Sequence, residues 1–139
     1  MNEKFQFKAC FTVRIGDINY GGHVANDRYL LFFHDARIQF LESLGFSEKD
    51  IGGAGLIMSD AYVRYKAEVF YGEELAVGVA ATEMEGSRFK LEYEVERASD
   101  SKVVAAGYTT MVAFDYAARR VAKIPESFKK KIIHGTMDQ

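Results

Sequence analysis

The sequence of 139 residues contains one cysteine, one proline and no tryptophan, and neither sign of charge dominates it. A single cysteine cannot form an internal disulfide bond, which fits a reducing compartment. No apolar run reaches the roughly 18 residues that a membrane-spanning helix needs, and residues 1–8 lack the apolar core of a secretion signal. A net charge of −2 gives no general attraction to nucleic acid or anionic membranes. We therefore expect a cytoplasmic protein with neither nucleic acid nor membrane as a partner.

Several catalytic signatures are also missing. There is no Gly-x-Ser-x-Gly elbow of serine hydrolases, no phosphate-binding loop and no dinucleotide fingerprint. The three histidines, His23, His34 and His134, do not show metal-ligand spacing. We expect neither a metal site nor a cofactor.

The apolar residues, 48% of the chain, are numerous enough for one core, and we expect a single domain over residues 1–139. Residues 5–13 alternate between apolar and polar side chains and predict a half-buried strand. A helix is predicted to follow, with Asn26 as its cap, Asp27 in its first turn and an end at Gly45. Apolar residues cover most of its circumference, which is typical of a buried helix.

Four more strands are predicted, approximately over residues 55–70, 75–84, 89–95 and 103–114, before a short helix that opens at Pro125. One strand, one long helix and four antiparallel strands form an α+β layout. In so short a chain only a curved sheet can bury the helix, so we predict a hot-dog fold, an antiparallel sheet wrapped around one central helix. Such a sheet leaves an edge strand open, and pairing edges between copies predicts a homodimer or homotetramer.

The junction between the first strand and the helix, residues 16–27, concentrates polar groups. It contains two carboxylates, two amides, one imidazole and three glycines. The N-terminus of the following helix offers free backbone N–H groups and a positive partial charge. A water molecule or carboxylate at this point can attack a carbonyl that those N–H groups hold.

The junction also carries a family likeness. Gly-Asp-x-Asn-x-x-Gly-His-Val-x-Asn-x-x-Tyr over residues 16–29, followed by Ala36-Arg37, resembles the 4-hydroxybenzoyl-CoA-thioesterase-like branch of the hot-dog acyl-CoA thioesterases. Residues 63–65, 72–77 and 105–112 resemble later strands of that family. The resemblance implies hydrolysis of an acyl-CoA or acyl-carrier thioester to a free acid and a thiol, with CoA present only as part of the substrate.

One position departs from the family pattern. The usual catalytic aspartate falls at Asn19, whereas the acidic residue two positions earlier is kept as Asp17. Asparagine is neither a nucleophile nor a useful base, although it can hold a water molecule or donate to an oxyanion. Either Asp17 takes over, or Asn19 positions a water molecule that another group, His23 or Asp60, activates, or activity is weak or absent.

The same departure creates a second likeness. Gly-Asp-x-Asn followed by histidine resembles the motif of (R)-specific enoyl-CoA hydratases, although His23 follows Asn19 by four positions rather than three. Two alternatives to the thioesterase therefore stay open. One is an enoyl-CoA hydratase that uses Asp17 and His23, and the other is a non-catalytic acyl-thioester-binding protein.

Each candidate side chain also has a structural interpretation. Asp17 and Asn19 can serve a turn by bonding nearby backbone, and His23 can hydrogen-bond backbone rather than substrate. The N–H groups near Gly22, His23 and Val24 are predicted to hold the thioester carbonyl. The candidates for binding substrate are Gly22, Val24, Asn26 and Tyr29. The main role predicted for Asn26, however, is to cap the helix.

Two charged residues lie in apolar surroundings. Asp60 interrupts an apolar strand, where a carboxylate is costly unless it is paired or useful. It is a candidate base that faces a partner's site across a dimer interface, or it pairs with Arg64 or Arg37. Arg37 lies within the apolar helix and is expected to pair with a carboxylate.

Overall fold

The computed structural model describes residues 4, 5 and 7–137, with backbone only for residues 133–137. The elements are β1 (Phe7–Thr12), a 3-10 turn (Ile15–Asp17), α1 (Arg28–Ser43), β2 (Gly55–Tyr65), β3 (Glu74–Glu85), β4 (Arg88–Arg97), β5 (Val103–Asp115), β6 (Arg120–Val121) and α2 (Glu126–Met137). The main sheet has the order β1-β3-β4-β5-β2, every pair is antiparallel, and β6 pairs with β5. An antiparallel sheet with one long helix packed against it confirms the predicted α+β hot-dog class.

Side-chain alternation along β4 shows how the sheet receives α1. Phe89, Leu91, Tyr93 and Val95 are buried on the face toward the helix, whereas the residues between them point to the other face. The ring of Phe33 on α1 stacks on Tyr93 with centroids 4.3 Å apart. The period-2 pattern of the sequence therefore fixes which face of this strand carries the core.

The start of α1 differs by one residue from the prediction. Asp27, not Asn26, is the N-cap residue, and its side chain makes no capping hydrogen bond. The N–H of Arg28 donates to the carbonyl of Ala25 over 3.0 Å, so a tight turn precedes the helix and moves its first residue onward. The predicted end is confirmed, because Gly45 follows the helix with a φ of +85°.

The prediction that α1 is buried nearly all round is wrong. The sheet covers one side of the helix, and the side chains of Leu30 and Leu31 remain 40% and 48% exposed. Met58, on the neighbouring edge strand β2, is also 48% exposed. An apolar groove therefore lies open between α1 and β2.

Three further differences from the sequence prediction concern β2, β6 and α2. β2 ends at Tyr65 rather than near Phe70, because the chain leaves the sheet there and Phe70 forms an isolated bridge with His23. The short strand β6 was not predicted, and α2 begins at Glu126, one residue after Pro125. Among the described residues, no helix combines the length and apolar character that crossing a membrane requires.

Candidate active site

The junction between β1 and α1 folds into a small hairpin. Ile18 and Val24 pair across it, and the N–H of Asn19 donates to the carbonyl of His23 over 3.0 Å. Val24 is buried and Ile18 packs against the core. Because side chains alternate along paired segments, Asp17, Asn19 and His23 lie on the side of the hairpin away from the core. The apolar residues at positions 18 and 24 thus explain why the polar residues between them remain accessible.

Asn19 and His23 lie next to each other over Gly21. Oδ1 of Asn19 accepts a hydrogen bond from Gly21 N–H at 2.9 Å, so the structural role that the sequence offered for Asn19 is present. A Cβ at Gly21 would lie 3.2 Å from Asn19 Oδ1 and 3.4 Å from His23 Nε2. Gly22 has a φ of +86°, a conformation that favours glycine. The two glycines therefore let the amide and the imidazole approach one another.

The imidazole of His23 has one engaged nitrogen and one open nitrogen. Nδ1 lies 3.2 Å from the carbonyl of Val24 and can donate to it, which leaves Nε2 as the acceptor of a neutral ring. The ring lines a cavity of about 360 Å³ together with Asn26, Tyr29 and Tyr65. We call this space the His23 cavity. Within the described part of the chain, Nε2 of His23 makes no hydrogen bond and can contact a molecule in this cavity.

Two tyrosines form the opposite wall of the His23 cavity. The hydroxyl of Tyr65 donates to the carbonyl of Asn26 over 3.0 Å, and its ring meets that of Tyr29 edge-on with centroids 5.5 Å apart. Burial, reinforced by Tyr65, raises the pKa of Tyr29 to about 12. Tyr29 is therefore a protonated phenol at neutral pH and can donate a hydrogen bond.

Of the three N–H groups predicted to hold a carbonyl, those of Gly22 and Val24 are engaged within the protein, so the prediction is wrong for these two, whereas that of His23 is not engaged among the described residues. Gly22 N–H donates to the carbonyl of Asn19 at 3.0 Å, and Val24 N–H donates to that of Val69 at 2.8 Å, because the hairpin and its bridge to the following segment use them. Within the described part of the chain, the N–H groups of His23, Asn26 and Asp27 make no hydrogen bond. Asn26 and Asp27 lie directly before α1, and His23 lies in the hairpin. The sequence predicted free N–H groups at the helix start and near His23, but it did not single out those of Asn26 and Asp27.

Asp17 is held apart from the His23 cavity. Its Oδ2 accepts a hydrogen bond from Arg14 N–H at 2.9 Å, which closes the 3-10 turn. The carboxylate lines a different cavity, of about 750 Å³, with Arg28 and Tyr71. Asp17 therefore has the turn role that the sequence suggested as its structural interpretation. Asp17 and His23 do not line the same cavity.

Asp60 lies on the face of the sheet opposite α1. The β2–β5 register shifts at a bulge between Met58, which pairs with Met111, and Asp60, which pairs with Thr110. Without the bulge, Met58 and Asp60 would point to the same side, so the extra residue moves the carboxylate to the outer face. Within one chain Asp60 is therefore not brought together with His23.

The suggested pairing of Asp60 with Arg37 is also wrong. Arg37 Nε donates to Glu48 Oε2 at 2.7 Å, which confirms that Arg37 has a carboxylate partner but assigns a different one. Among the described residues Asp60 makes no ion pair with Arg64. Glu48 lies in the loop after α1, and nothing in the sequence pattern singled it out.

A third cavity, of about 440 Å³, lies in the groove between α1 and β2. We call it the Arg37 cavity, and it is lined by Asp27, Leu30, Leu31, His34, Arg37, Met58 and Thr109. It begins at Asp27, next to Asn26 of the His23 cavity. The two cavities therefore follow one another along the first turns of α1. The sequence signal for this space was Arg37, an arginine in the apolar part of the helix.

Comparison with known proteins gives this arrangement a family context. The sequence profile of the family described as the thioesterase-like superfamily matches residues 13–132. A bifunctional L-carnitine dehydrogenase/betainyl-CoA thioesterase of Agrobacterium fabrum is 25% identical over 120 residues, which are 86% of this chain. The chain spans only 25% of the length of that protein.

Solved structures show the same fold. The 1,4-dihydroxy-2-naphthoyl-CoA thioesterase of Synechocystis is 25% identical, with a TM-score of 0.84 over 91% of this chain and 95% of its own. A Staphylococcus aureus protein solved in complex with CoA is 23% identical, with a TM-score of 0.86 over 96% of this chain and 85% of its own. The second similarity concerns the fold alone.

Proposed function

The chain belongs to the thioesterase-like superfamily, and from this premise we propose that it hydrolyses an acyl-CoA thioester to a free acid and a thiol. The observation that carries the proposal is the position of His23, which lines a cavity beside the helix N-terminus and lies next to Asn19, the polar atoms of both residues flanking Gly21. The activities named for the Agrobacterium and Synechocystis relatives support the same reaction class.

In the proposed reaction His23 activates water. Its Nε2 takes a proton as the water oxygen bonds to the carbonyl carbon, and the carbonyl electron pair moves to oxygen. When the tetrahedral intermediate collapses, the carbon–sulfur bond breaks and the thiolate takes the proton from His23. The amide of Asn19 positions the water, since its Oδ1 is already fixed by Gly21 and its Nδ2 is free among the described contacts. The cycle returns His23 to its starting state.

Backbone N–H groups at the start of α1 stabilise the developing oxyanion in this proposal. The N–H groups of His23, Asn26 and Asp27 are unengaged within the described residues, and those of Asn26 and Asp27 lie where the helix dipole is positive. Tyr29 adds a neutral hydroxyl donor in the same cavity. We propose that His23 keeps the role that the sequence suggested for it, and that Asn26, Asp27 and Tyr29 replace Gly22 and Val24 in that role.

The geometry does not favour the hydratase alternative. That reaction would need Asp17 and His23 to act on one substrate, but the two side chains line different cavities. Asp17 instead supports the turn that leads into the hairpin. We therefore propose a positioning role for Asp17, and we do not propose Asp60 as the base.

We also propose that the active unit is a homodimer, or a dimer of dimers, formed through β2. This strand is an edge of the sheet and runs for 11 residues, and it borders the exposed Leu30, Leu31 and Met58. Pairing with a second copy there would cover apolar surface and would provide hydrogen-bond partners for the backbone N–H and C=O groups of the edge strand.

The proposed reaction consumes only water and the thioester, so we propose no cofactor. The single cysteine supports a cytoplasmic setting.

Release of free thiol from short, long and aromatic acyl-CoAs tests the proposed activity. We expect release from at least one of these classes above the rate without protein. No release from any class, while hydration of a crotonyl-type thioester proceeds, would support the hydratase instead.

The variant Asn19→Asp distinguishes an enzyme from a binding protein. If the natural chain releases no thiol but binds acyl-CoA, and the variant releases thiol, the natural chain is a binder that lost the usual carboxylate. If the natural chain is already active, the non-catalytic alternative is excluded.

A further inference from the structure

The His23 cavity has a carboxylate in its wall. Among the described residues that line this cavity, Glu68 is the one acidic side chain. Building on the proposed function, we propose that Glu68 is a second catalytic residue and supplies the carboxylate that position 19 lacks. In this role Glu68 accepts a hydrogen bond from the attacking water molecule and stabilises the imidazolium of His23.

The backbone places Glu68 on the same side as His23. His23 and Phe70 form an isolated antiparallel bridge, and next to it the N–H of Val24 donates to the carbonyl of Val69 over 2.8 Å. Val24 and Val69 are 3% and 1% exposed and point into the core. Glu68 and Phe70, which flank Val69, are exposed. Because side chains alternate along paired segments, Glu68 and Phe70 point to the side of His23.

This arrangement brings the carboxylate within reach of the histidine. Glu68 and His23 are diagonal neighbours across the bridge, and such residues are about 7–8 Å apart, a separation that long side chains can span. Both residues line the same cavity. A water molecule in that cavity can therefore contact the imidazole and the carboxylate together.

The main chain of Glu68 is fixed, whereas its carboxylate has no protein partner among the described residues. Nη1 of Arg97 donates to the carbonyl oxygen of Glu68 over 3.1 Å, and Arg97 is itself paired with Glu73 and Asp100. The side chain of Glu68 makes no hydrogen bond or ion pair in the described part of the chain, and Lys66 in the same cavity does not pair with it. The carboxylate is thus available to a bound water molecule.

A negative charge at this position favours proton transfer to His23. The imidazole becomes positive when Nε2 takes the proton, and a carboxylate close to it lowers the free energy of the charged ring. A bound acyl-CoA would displace water from the cavity, and the attraction between the two charges would become stronger. Asn19 is neutral, so it can orient the water molecule but cannot supply this stabilisation.

The proposed step leaves Glu68 ionised throughout. One hydrogen of the water molecule passes to His23 Nε2 as the water oxygen bonds to the carbonyl carbon. The other hydrogen stays on that oxygen and donates to Glu68. When the carbon–sulfur bond breaks, the thiolate takes the proton from His23, and the products are a carboxylic acid and a thiol.

The variant Glu68→Gln tests this role. It keeps the size of the side chain and a hydrogen-bonding oxygen, removes the charge, and leaves the backbone bond from Arg97 in place. We expect kcat for the best acyl-CoA of a panel to fall at least about tenfold while KM stays within about threefold. Glu94→Gln is the matched control, because Glu94 lies on the face of the sheet away from α1, and its kcat should stay within about twofold.

Two further measurements distinguish catalysis from a structural role. Formate added to Glu68→Ala should raise kcat at least about fivefold, because a small carboxylate fits the space left by the side chain, whereas chloride at the same concentration should not. The double variant His23→Gln with Glu68→Gln should lie within about threefold of His23→Gln alone, because both residues act on one water molecule.

The outcomes separate this proposal from the proposed hydrolysis. If the natural chain releases thiol and Glu68→Gln keeps full kcat, the hydrolysis stands and the role of Glu68 fails. A loss in Glu68→Gln that formate does not reverse in Glu68→Ala, and that multiplies with the loss in His23→Gln, would also overturn the role of Glu68. No thiol release by the natural chain from any acyl-CoA would overturn both proposals.

Discussion

The hydroxyl of Tyr65 on β2 donates a hydrogen bond to the backbone carbonyl of Asn26, 3.0 Å away, just before α1 begins. This bond joins the edge strand to the helix N-terminus and closes one end of the groove between them. It also fixes the segment whose unengaged N–H groups we propose as the oxyanion site.

Replacing Tyr65 with phenylalanine removes that bond and keeps the ring contact with Tyr29. We expect kcat/KM for thioester hydrolysis to fall about three- to tenfold, because the donors at the helix start lose one restraint. The free energy of unfolding, measured in urea, should change by less than about 1 kcal/mol. Tyr62→Phe is the control, since Tyr62 lies on the same strand but stacks on Tyr108. Equal effects of the two variants would argue against this role for Tyr65.

Adding a methyl group at Gly21 should disturb the proposed catalytic pair directly. A Cβ there lies 3.2 Å from Asn19 Oδ1 and 3.4 Å from His23 Nε2, so at least one side chain must shift. We expect Gly21→Ala to lower kcat by about tenfold or more with little change in the free energy of unfolding. Gly16→Ala is the comparison, because no atom lies within 4 Å of its added Cβ. Full activity in Gly21→Ala would mean that the spacing of Asn19 and His23 is not critical.

The ion pair between Arg37 and Glu48 should contribute to stability. Arg37 is nearly buried and Glu48 is partly exposed, so removing the carboxylate leaves a buried cation only partly solvated. We expect Glu48→Ala to lower the free energy of unfolding by about 2 kcal/mol in urea titrations. Glu42→Ala, an exposed position on α1, should change it by less than about 0.5 kcal/mol. A loss in Glu48→Ala no larger than that of the control would show that the pair adds little.

The raised pKa of Tyr29 predicts that the free energy of unfolding decreases at alkaline pH. Its pKa is raised to about 12 by burial, whereas an unfolded tyrosine titrates near 10. Deprotonation of this tyrosine therefore favours the unfolded chain. Its contribution to the free energy of unfolding is complete below pH 10 and declines as the pH rises from about 10 to 12. Burial raises the pKa of Tyr93 as well, which adds to the decline.

Urea titrations at pH 8 and pH 11 measure this effect. The difference between the two pH values should be smaller in Tyr29→Phe than in the natural chain. It should be unchanged in Tyr20→Phe, whose side chain is fully exposed. An identical difference in Tyr29→Phe and the natural chain would refute the assignment.

The strands were predicted well from the sequence where one face of the strand is buried and the other is exposed to solvent. β4 shows this best, since its alternation places Phe89, Leu91, Tyr93 and Val95 in the core. Gly45 likewise follows the end of α1 as predicted, because the backbone there adopts a left-handed conformation that glycine favours. Local physics decides these features, so local patterns reveal them.

Other features depend on contacts that no local pattern records. The bulge after Met58 carries no glycine or proline signal, yet it moves Asp60 to the opposite face of the sheet. The exposure of Leu30 and Leu31 depends on how far the sheet reaches. A pattern shows that such residues are apolar but not what covers them.

The candidate site was partly predictable for the same reason. Asp17, Asn19 and His23 were singled out by type and spacing, and the hairpin does place their side chains away from the core. Hydrogen bonding to Arg14 N–H and Gly21 N–H, which depends on the folded loop, then separates their roles. The sequence predicted free N–H groups at the start of α1, but only the folded backbone shows which of them are unengaged.

The most direct test compares thiol release by the natural chain, His23→Gln and Asp17→Asn on the best acyl-CoA of a panel. Glutamine cannot take the proton, whereas asparagine at position 17 can still accept the Arg14 N–H bond and loses only the charge. We expect His23→Gln to lower kcat at least about a hundredfold and Asp17→Asn to lower it less than about fivefold. A large loss in Asp17→Asn with near-normal turnover in His23→Gln would contradict His23 as the base and assign that role to Asp17.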